Sequence, residues 1–264
     1  MDLELLGKRA VVTGSTAGIG LAIAMELARE GARVVLNGRT PERVEAALAG
    51  IRKVLPKAEL LGVAADVGTA EGCAKLVREV PDTDVLVNNV GIFASTPFAE
   101  ISDDEWKRFF EVNVLSGVRL SRAYLPGMLQ RNWGRILFIS SESGLQIPSE
   151  MIHYGTTKTA QLSVARGLAE TTKGTAVTVN SVLPGPTKSE GVGDFVAGLA
   201  TQQKKSVADV ERDFFQHMRP SSLLQRFMAP EEVAALVAFV ASPKASAING
   251  VALRVDGGVV RAIS

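Results

Sequence analysis

Short apolar runs alternate with longer segments of helical spacing along the whole chain. Arg9 to Thr13 is a compact run that ends in a glycine turn, the pattern of a short buried strand. Behind it Ile19, Ile23 and Leu27 recur at one face of a helix, and Gly31 closes that helix as a C-terminal cap. Ala32 to Asn37 gives a second strand. Thr40 and Pro41 then open a second helix, threonine as N-cap and proline at the first helical position, where its missing N–H costs nothing. Leu60 to Ala64, Val85 to Asn88, Arg135 to Ser140, Ala176 to Val182 and Leu253 to Val255 supply five more strands. Ser102 and Glu105 form a capping-box signature ahead of a helical segment that runs to about Arg131.

Near-continuous apolar strands alternating with helices predict a mostly parallel sheet covered on both faces. The expected fold is therefore α/β, a doubly wound (Rossmann-like) three-layer sandwich, with residues 1–264 as a single domain. No linker, repeat or low-complexity run interrupts it. Residues 186–228 break the rhythm, being richer in Gly, Ser, Gln and Lys, and predict a long irregular lid or substrate loop.

Composition narrows the function classes. With 264 residues, 46% apolar, 22% charged and a net charge of +1, the chain is ordinary globular protein with no strong field to draw nucleic acid or an anionic membrane. A single cysteine, Cys73, excludes an intramolecular disulfide and fits a reducing compartment; placed in a helix, it is expected to be inert. The start, MDLELLGKRAVVTG, has acids where a signal peptide is basic, and no apolar stretch approaches the ~20 residues that span a bilayer. A cytoplasmic protein is expected. The two histidines, His153 and His217, lie far apart with no metal-ligand spacing around them, so no metal is expected.

TGSTAGIG, Thr13 to Gly20, sits between the first strand and the first helix, where a dinucleotide site requires a glycine loop. Gly14 permits the tight turn, Gly18 lets the backbone approach a pyrophosphate, and Gly20 allows helix to pack on sheet. Ser15, Thr16 and Ile19 complete the loop as candidate cofactor contacts. A helix N-terminus there presents free N–H groups and a positive dipole end to phosphate. At the end of the second strand, where an acid would bind a ribose 2′-hydroxyl, the chain has Asn37-Gly38-Arg39. Arg39 can pair with a 2′-phosphate through its guanidinium fork, which predicts NADP(H), with NAD(H) as the alternative.

In IHYGTTKTAQ, Tyr154 and Lys158 stand four apart, on one face of a helix. A phenol is too weak an acid for proton transfer near neutral pH, and a neighbouring ammonium is expected to lower its pKa. Ser141 follows an apolar strand, so it should sit at a carboxyl end of the sheet, where ligands of such sheets bind. Ser140 and Ser143 are its local rivals.

Taken together, TGSTAGIG, NNVG at Asn88 to Gly91, Ser141, Tyr154 to Lys158 and Pro184-Gly185 resemble the short-chain dehydrogenase/reductase family over essentially the whole chain. The resemblance implies a catalytic set of Asn113, Ser141, Tyr154 and Lys158. It implies that Lys158 also holds the nicotinamide ribose and that Asn113 holds a water of a proton relay. Asp66-Val67 would hold the adenine, Asn88 and Gly91 would line the adenosine side, and Pro184, Gly185 and Thr187 the nicotinamide end. NNVG in place of the commoner NNAG puts a larger side chain under the cofactor. In the related enoyl-thioester reductases the lysine follows the tyrosine by seven residues; here position 161 is Gln.

The function so implied is hydride transfer between NADP(H) and a carbonyl or secondary alcohol, such as a 3-oxoacyl thioester or small ketone. The alternative is a non-catalytic dinucleotide-binding sensor or scaffold of the same fold. Selectivity is expected in residues 142–153 and 186–228, with Ile147, Met151, Val192 and Phe195 as an apolar wall and Lys188 as a candidate for a substrate carboxylate. His153 and Glu150, beside Tyr154, are expected in surface or wall packing. By resemblance the helices before Arg131 and from Tyr154 to Lys173 build a homotetramer.

Overall fold

The computed structural model describes residues 1–263; in the segment 190–203 the side chains at positions 190, 191, 194, 195, 199 and 203 are left aside. Seven strands form one sheet: β1 (Arg9–Val12), β2 (Arg33–Gly38), β3 (Leu60–Ala64), β4 (Val85–Asn88), β5 (Gly134–Ile139), β6 (Val177–Pro184) and β7 (Ala252–Val255). Their order is β3-β2-β1-β4-β5-β6-β7, and every pairing is parallel. Each predicted strand is present, within a residue or two of its expected ends. The order reverses between β1 and β4, so a crevice opens there at the carboxyl ends of the strands.

Side-chain alternation splits the core in two. Ala10, Val12, Val34, Leu36, Val85 and Val87 face α1 (Gly18–Arg29), α2 (Pro41–Val54) and α9 (Pro230–Ala241). Val11, Val35, Leu86, Ile136 and Phe138 face α3 (Ala70–Glu79), α5 (Ser116–Gln130) and α6 (Ile152–Glu170). Adjacent strand residues thus feed opposite faces, which a strand buried on both sides requires. Cys73 lies in the second of these cores, its thiol pushed up to about 11 by burial.

Local signals act where the sequence places them. Thr40 caps α2 by accepting from the Arg43 N–H at 3.4 Å, and Gly31 takes a left-handed φ of 84° after α1. Half of the expected capping box forms. Ser102 accepts from the Glu105 N–H at 3.2 Å to start α4 (Asp103–Phe110), while the Glu105 carboxylate pairs with Arg108 at 2.9 Å. Helices α4 and α5 run on through a π turn over Glu111–Leu115. Such a widened turn is frequent at functional sites.

The region 186–228 is a correction. It is not an irregular loop: it holds α7 (Glu190–Gln203), α8 (Val207–Asp213) and a second π turn over Phe214–Met218. These helices pack on their own small core of Val196, Ala200, Val210, Phe215 and Phe227. Their apolar stripe is narrow because it faces that cluster and not the sheet, and Gly191, Gly193 and Gly198 weaken the helical pattern further. Among the described residues no helix is long and apolar enough to cross a membrane.

Candidate active site

A cleft of about 540 Å³ lies over the carboxyl ends of β1, β4, β5 and β6. The glycine loop forms one wall. Gly14 and Gly18 hold φ of 60° and 55°, which few other residues adopt without strain. A Cβ on Gly20 would stand 2.3 Å from the Gly14 carbonyl oxygen, so the loop folds back on itself only because that atom is missing. Ala17, the N-cap of α1, offers no side-chain hydrogen bond, and the first turn carries no acid. Gly18, Ile19 and Gly20 therefore present an uncapped helix terminus to the cleft, which fits a dinucleotide pyrophosphate.

Other predicted cofactor residues brace this wall. Ser15 is fully buried; its hydroxyl donates to the Val12 carbonyl at 2.7 Å and accepts from the Asn37 N–H at 2.9 Å. The Asn37 amide donates to the carbonyls of Val63 and Ala65 and accepts from the Gly14 N–H at 3.4 Å, tying three strand ends together. Thr16 packs against Gly38, where a Cβ would lie 2.4 Å from its methyl. Arg39 is exposed at the end of β2, away from these bonds. Asp66 is exposed and accepts from the Gly68 N–H at 3.0 Å, while Val67 is buried.

The NNVG segment divides its work differently from expectation. Asn88 turns away from the cleft, its amide 3.3 Å from the Ser121 hydroxyl of α5. Asn89, which sequence reasoning passed over, lines the cleft and donates to the carbonyls of Thr13 and Gly14 at 2.9 and 3.1 Å. Strand alternation could have separated the two asparagines, since neighbours on a strand face opposite ways. Gly91 also lines the cleft; a Cβ there would lie 3.3 Å from Lys158 Nζ. Pro184, Gly185 and Thr187 form the far wall, with Thr187 Oγ1 donating to the Gly185 carbonyl at 2.9 Å.

Tyr154 and Lys158 lie in the first two turns of α6, both facing the cleft. Lys158 is buried; Nζ stands 5.6 Å from the Tyr154 ring centre and donates to the Ile139 carbonyl at 2.9 Å. Burial lowers the lysine to about 8, with Glu142 acting against that fall. Tyr154 is raised well above the ordinary phenol range, first by burial and then by the Glu142 carboxylate, with Ser141 and Arg219 opposing. Burial and Glu142 together outweigh the groups that lower the phenol in this arrangement. The ammonium is docked on a strand carbonyl, and Glu142 and Arg219 are further charges that act on the phenol, in opposite directions.

Of the three serines, Ser141 is the one that reaches Tyr154. Ser140 spends its hydroxyl on the Lys158 carbonyl at 2.8 Å, and Ser143 donates to Glu142 at 3.1 Å. Ser141 lines the cleft and donates to the Glu142 carboxylate at 2.5 Å. Asn113 sits on the first π turn, buried. Its side chain accepts from the Ile92 N–H at 2.8 Å and donates to the Ile92 carbonyl and to Thr157 Oγ1. Its backbone carbonyl accepts from Gln161 Nε2 at 2.5 Å.

Of the expected substrate wall, two residues are in place and one is not. Met151 and Val192 line the cleft, joined by Phe93, Phe214, Met218 and Phe227. Ile147 lies 2.7 Å from a Cβ built on Gly155, on the outer side of α6, and Phe195 falls outside the described residues. Lys188 is paired with Glu211 at 2.9 Å and is not free for a carboxylate. His153 packs into the protein between Phe109 and Trp106, and Glu150 pairs with Arg219 at 3.1 Å. Glu142 and Arg219 are the charged cleft residues that sequence reasoning missed. Arg219 had no signal, because only the folding back of residues 214–219 brings it there.

A doubly wound sheet with a glycine-loop helix terminus and a serine, tyrosine and lysine in one cleft defines an oxidoreductase of the nicotinamide-dinucleotide class. The model of the family described as short chain dehydrogenase matches residues 8–199. The chain belongs to the short-chain dehydrogenase/reductase family. It is 49% identical to the oxidoreductase YvaG of Bacillus subtilis (strain 168), over the full length of both. It is 34% identical to the 3-oxoacyl-[acyl-carrier-protein] reductase FabG of Aquifex aeolicus, covering 98% of this chain and all of that one. Among solved structures, the L-sorbose reductase of Gluconobacter frateurii, complexed with NADPH and L-sorbose, superposes with a TM-score of 0.94 at 31% identity over all of both chains.

Proposed function

We propose that the protein is an NADP(H)-dependent oxidoreductase that interconverts a carbonyl and a secondary alcohol, with Tyr154 as proton donor and acceptor. The observation that carries this reading is the meeting of Ser141, Tyr154 and Lys158 in the cleft that the uncapped terminus of α1 also faces. The nicotinamide, when bound, supplies or takes the hydride. The protein supplies position and the proton.

In reduction, the Tyr154 O–H bond breaks and the proton passes to the carbonyl oxygen. Lys158 holds the ribose hydroxyls with its ammonium and restores the phenol's proton. Asn113 shapes that route: its side chain clamps Ile92 beside Gly91, within reach of the lysine. Ser141 orients the substrate oxygen. Gly14, Gly18, Ile19 and Gly20 hold the pyrophosphate, and Ser15, Thr16, Asn37 and Asn88 keep the strand ends in shape for it. Asp66 and Val67 flank the adenine, while Gly91, Pro184, Gly185 and Thr187 enclose the nicotinamide end.

Preference for NADP(H) rests on the exposed Arg39 and the lack of an acid at 37–39; the Gluconobacter enzyme's complex with NADPH is consistent with it. Residues 186–228, with a core of their own, act as the substrate lid. The cleft takes a small carbonyl compound, a ketone or a 3-oxoacyl thioester. The assembly is a homotetramer in the cytoplasm.

The test follows the absorbance of the reduced nicotinamide with a panel of ketones, ketoses and 3-oxoacyl thioesters, NADPH and NADH in parallel, wild type beside Tyr154→Phe. Turnover that disappears in the variant while NADPH still binds supports the reading. Faster turnover with NADH at equal subsaturating concentration overturns the cofactor preference, and tight NADPH binding without turnover on any substrate favours a binding protein.

A further inference from the structure

Glu142 is one residue beyond Ser141, in the short turn that follows β5, and its side chain is only 7% exposed. Its two oxygens are held differently. Oε1 accepts from the Ser143 hydroxyl at 3.1 Å and from Arg219 Nε at 3.3 Å. Oε2 accepts from the Ser141 hydroxyl at 2.5 Å, its one donor among the described residues. A carboxylate only accepts, so the proton in that bond is Ser141's, and a hydroxyl has no second one. Ser141 therefore cannot donate to a substrate carbonyl oxygen while it serves Glu142. Once Ser141 turns to the substrate, Oε2 is left without a donor in a cleft that the substrate itself shields from water. A buried polar group stripped of its partner is costly, and a charged one more so. The substrate that avoids this brings its own donor to Oε2. Because Ser141 Oγ lies 2.5 Å from Oε2, that donor stands next to the carbonyl oxygen, on the neighbouring carbon.

Arg219 supplies the complement. Its Nε donates to Glu142, and its Nη1 to Glu150 at 3.1 Å and to the Met218 carbonyl at 2.8 Å. Among the described residues Nη2 has no hydrogen-bond partner, and Arg219 lines the cleft. One bonded pair of side chains thus offers an open acceptor and an open donor. A hydroxyl answers both, because it gives one proton and accepts another. An ammonium has no lone pair for the guanidinium, and a carboxylate has no proton for Glu142. The charges around the site also balance, Glu142 and Glu150 against Arg219 and Lys158, which favours an uncharged ligand.

We propose that the substrate is a neutral ketone carrying a hydroxyl on the carbon beside the carbonyl, with Glu142 and Arg219 as specificity-determining residues. The substrate hydroxyl donates to Glu142 Oε2, accepts from Arg219 Nη2 and so releases the Ser141 proton to the carbonyl oxygen. This rests on the oxidoreductase reading above and chooses between its two substrates, since the carbons flanking the ketone of a 3-oxoacyl thioester carry no O–H. In reduction a hydride passes from the nicotinamide to the carbonyl carbon and the Tyr154 proton to its oxygen. NADPH becomes NADP+, and the product is a vicinal diol. Phe93, Met151, Val192 and Phe214 enclose the rest of the molecule.

The experiment measures kcat/KM with saturating NADPH for hydroxyacetone, for butanone, which has a methyl in place of the hydroxyl, and for acetoacetyl-CoA. Wild type runs beside Glu142→Leu, Arg219→Met and Tyr154→Phe. A hydroxyl also activates the neighbouring carbonyl by itself, so the deciding quantity is the change in the hydroxyacetone-to-butanone ratio between wild type and variant. Wild type should prefer hydroxyacetone to both other compounds by about 100-fold or more, as a site built around a substrate hydroxyl does. The ratio should fall by about 10–100-fold in Glu142→Leu, the span of one hydrogen bond to a charged group, and should fall in Arg219→Met as well. Calorimetric titration of the enzyme–NADP+ complex, which cannot reduce a ketone, should show hydroxyacetone bound about tenfold or more weakly by Glu142→Leu than by wild type. A ratio that holds in both variants, or acetoacetyl-CoA turned over faster than hydroxyacetone by wild type, overturns the proposal, while turnover lost in Tyr154→Phe leaves the oxidoreductase reading intact. Absence of turnover of all three compounds by wild type removes that reading and this proposal with it. If Glu142→Leu does not fold, the ratio in Arg219→Met decides alone.

Discussion

His153 and Tyr154 are adjacent in sequence and face opposite ways: the Tyr154 ring lines the cleft, and the His153 ring lies 4.0 Å from the Phe109 ring centre and 6.0 Å from that of Trp106. A helix turns successive side chains by about 100°. One of the pair therefore enters the site and the other the packing between α6 and α4. His153 is fully buried and neither ring nitrogen has a hydrogen-bond partner.

An unpaired buried polar group costs about 1–3 kcal/mol. His153→Leu is expected to raise stability by about 1 kcal/mol, or roughly 2–4 °C in Tm for a chain of this size, and to leave kcat nearly unchanged. Burial lowers the His153 pKa from 6.5, with Glu105 acting the other way. A depressed folded-state value means the unfolded chain binds the proton first. The wild type keeps this contribution above about pH 6.5 and loses it as the pH falls below. The gap between wild type and variant should widen from pH 7 to pH 5 in denaturant titrations; a constant gap would show that the ring is not held neutral.

Lys158 carries the reverse bargain between stability and chemistry. Its value falls from 10.5 to about 8, so near neutrality the folded protein holds a buried ammonium that costs about 3 kcal/mol relative to the unfolded chain. Lys158→Met removes that cost but leaves the Ile139 carbonyl without its donor, a loss of about 1–3 kcal/mol. A net gain of about 1 kcal/mol at pH 7 is expected, with turnover down by about 100-fold or more. Between pH 8 and 10.5 the unfolded lysine stays charged while the folded one does not, so wild-type stability recovers with rising pH. The variant's advantage should shrink over that window, and an advantage that grows would contradict the assignment.

How much of this was legible in the sequence depends on the range of the signal. All seven strands could be read because each is a local apolar run, and the α2 cap because Thr40 and Pro41 act within one turn. The glycine loop and the Tyr154–Lys158 pair are also local patterns, and the structure brings them into one cleft. What escaped is tertiary. Helices α7 and α8 pack on each other's aromatic neighbours, so their stripe does not follow the sheet-facing period. The Glu142–Arg219 pair joins residues 77 positions apart. The direction of the Tyr154 shift depends on that pair and on burial, neither of which spacing encodes.

Arg39 offers a separable test of cofactor choice. It is exposed, and no acid accompanies it at the end of β2. A charge-assisted hydrogen bond to a phosphate contributes about 1.5–3 kcal/mol, so Arg39→Ala should raise KM for NADPH by roughly 10–100-fold and leave kcat and KM for NADH within about twofold. Equal losses with both cofactors would place Arg39 in a structural role.

Gly20→Ala tests the loop itself. A Cβ at Gly20 meets the Gly14 carbonyl oxygen at 2.3 Å and Asn89 Nδ2 at 2.5 Å. The first is backbone and cannot swing away. The second belongs to the amide that donates to the Thr13 and Gly14 carbonyls, so relief on that side breaks the brace between β4 and the loop. Gly50 makes the control, because a Cβ there meets nothing within 4 Å and it lies inside α2. Gly50→Ala should gain about 0.5–1 kcal/mol from helix propensity and bind NADPH as wild type does. Gly20→Ala should lose about 1–3 kcal/mol from overpacking, and NADPH affinity by titration calorimetry should fall by more than tenfold, because the displaced loop carries the N–H groups proposed to meet the pyrophosphate. A folded Gly20→Ala protein with undiminished NADPH affinity would mean that the pyrophosphate does not lie on this loop.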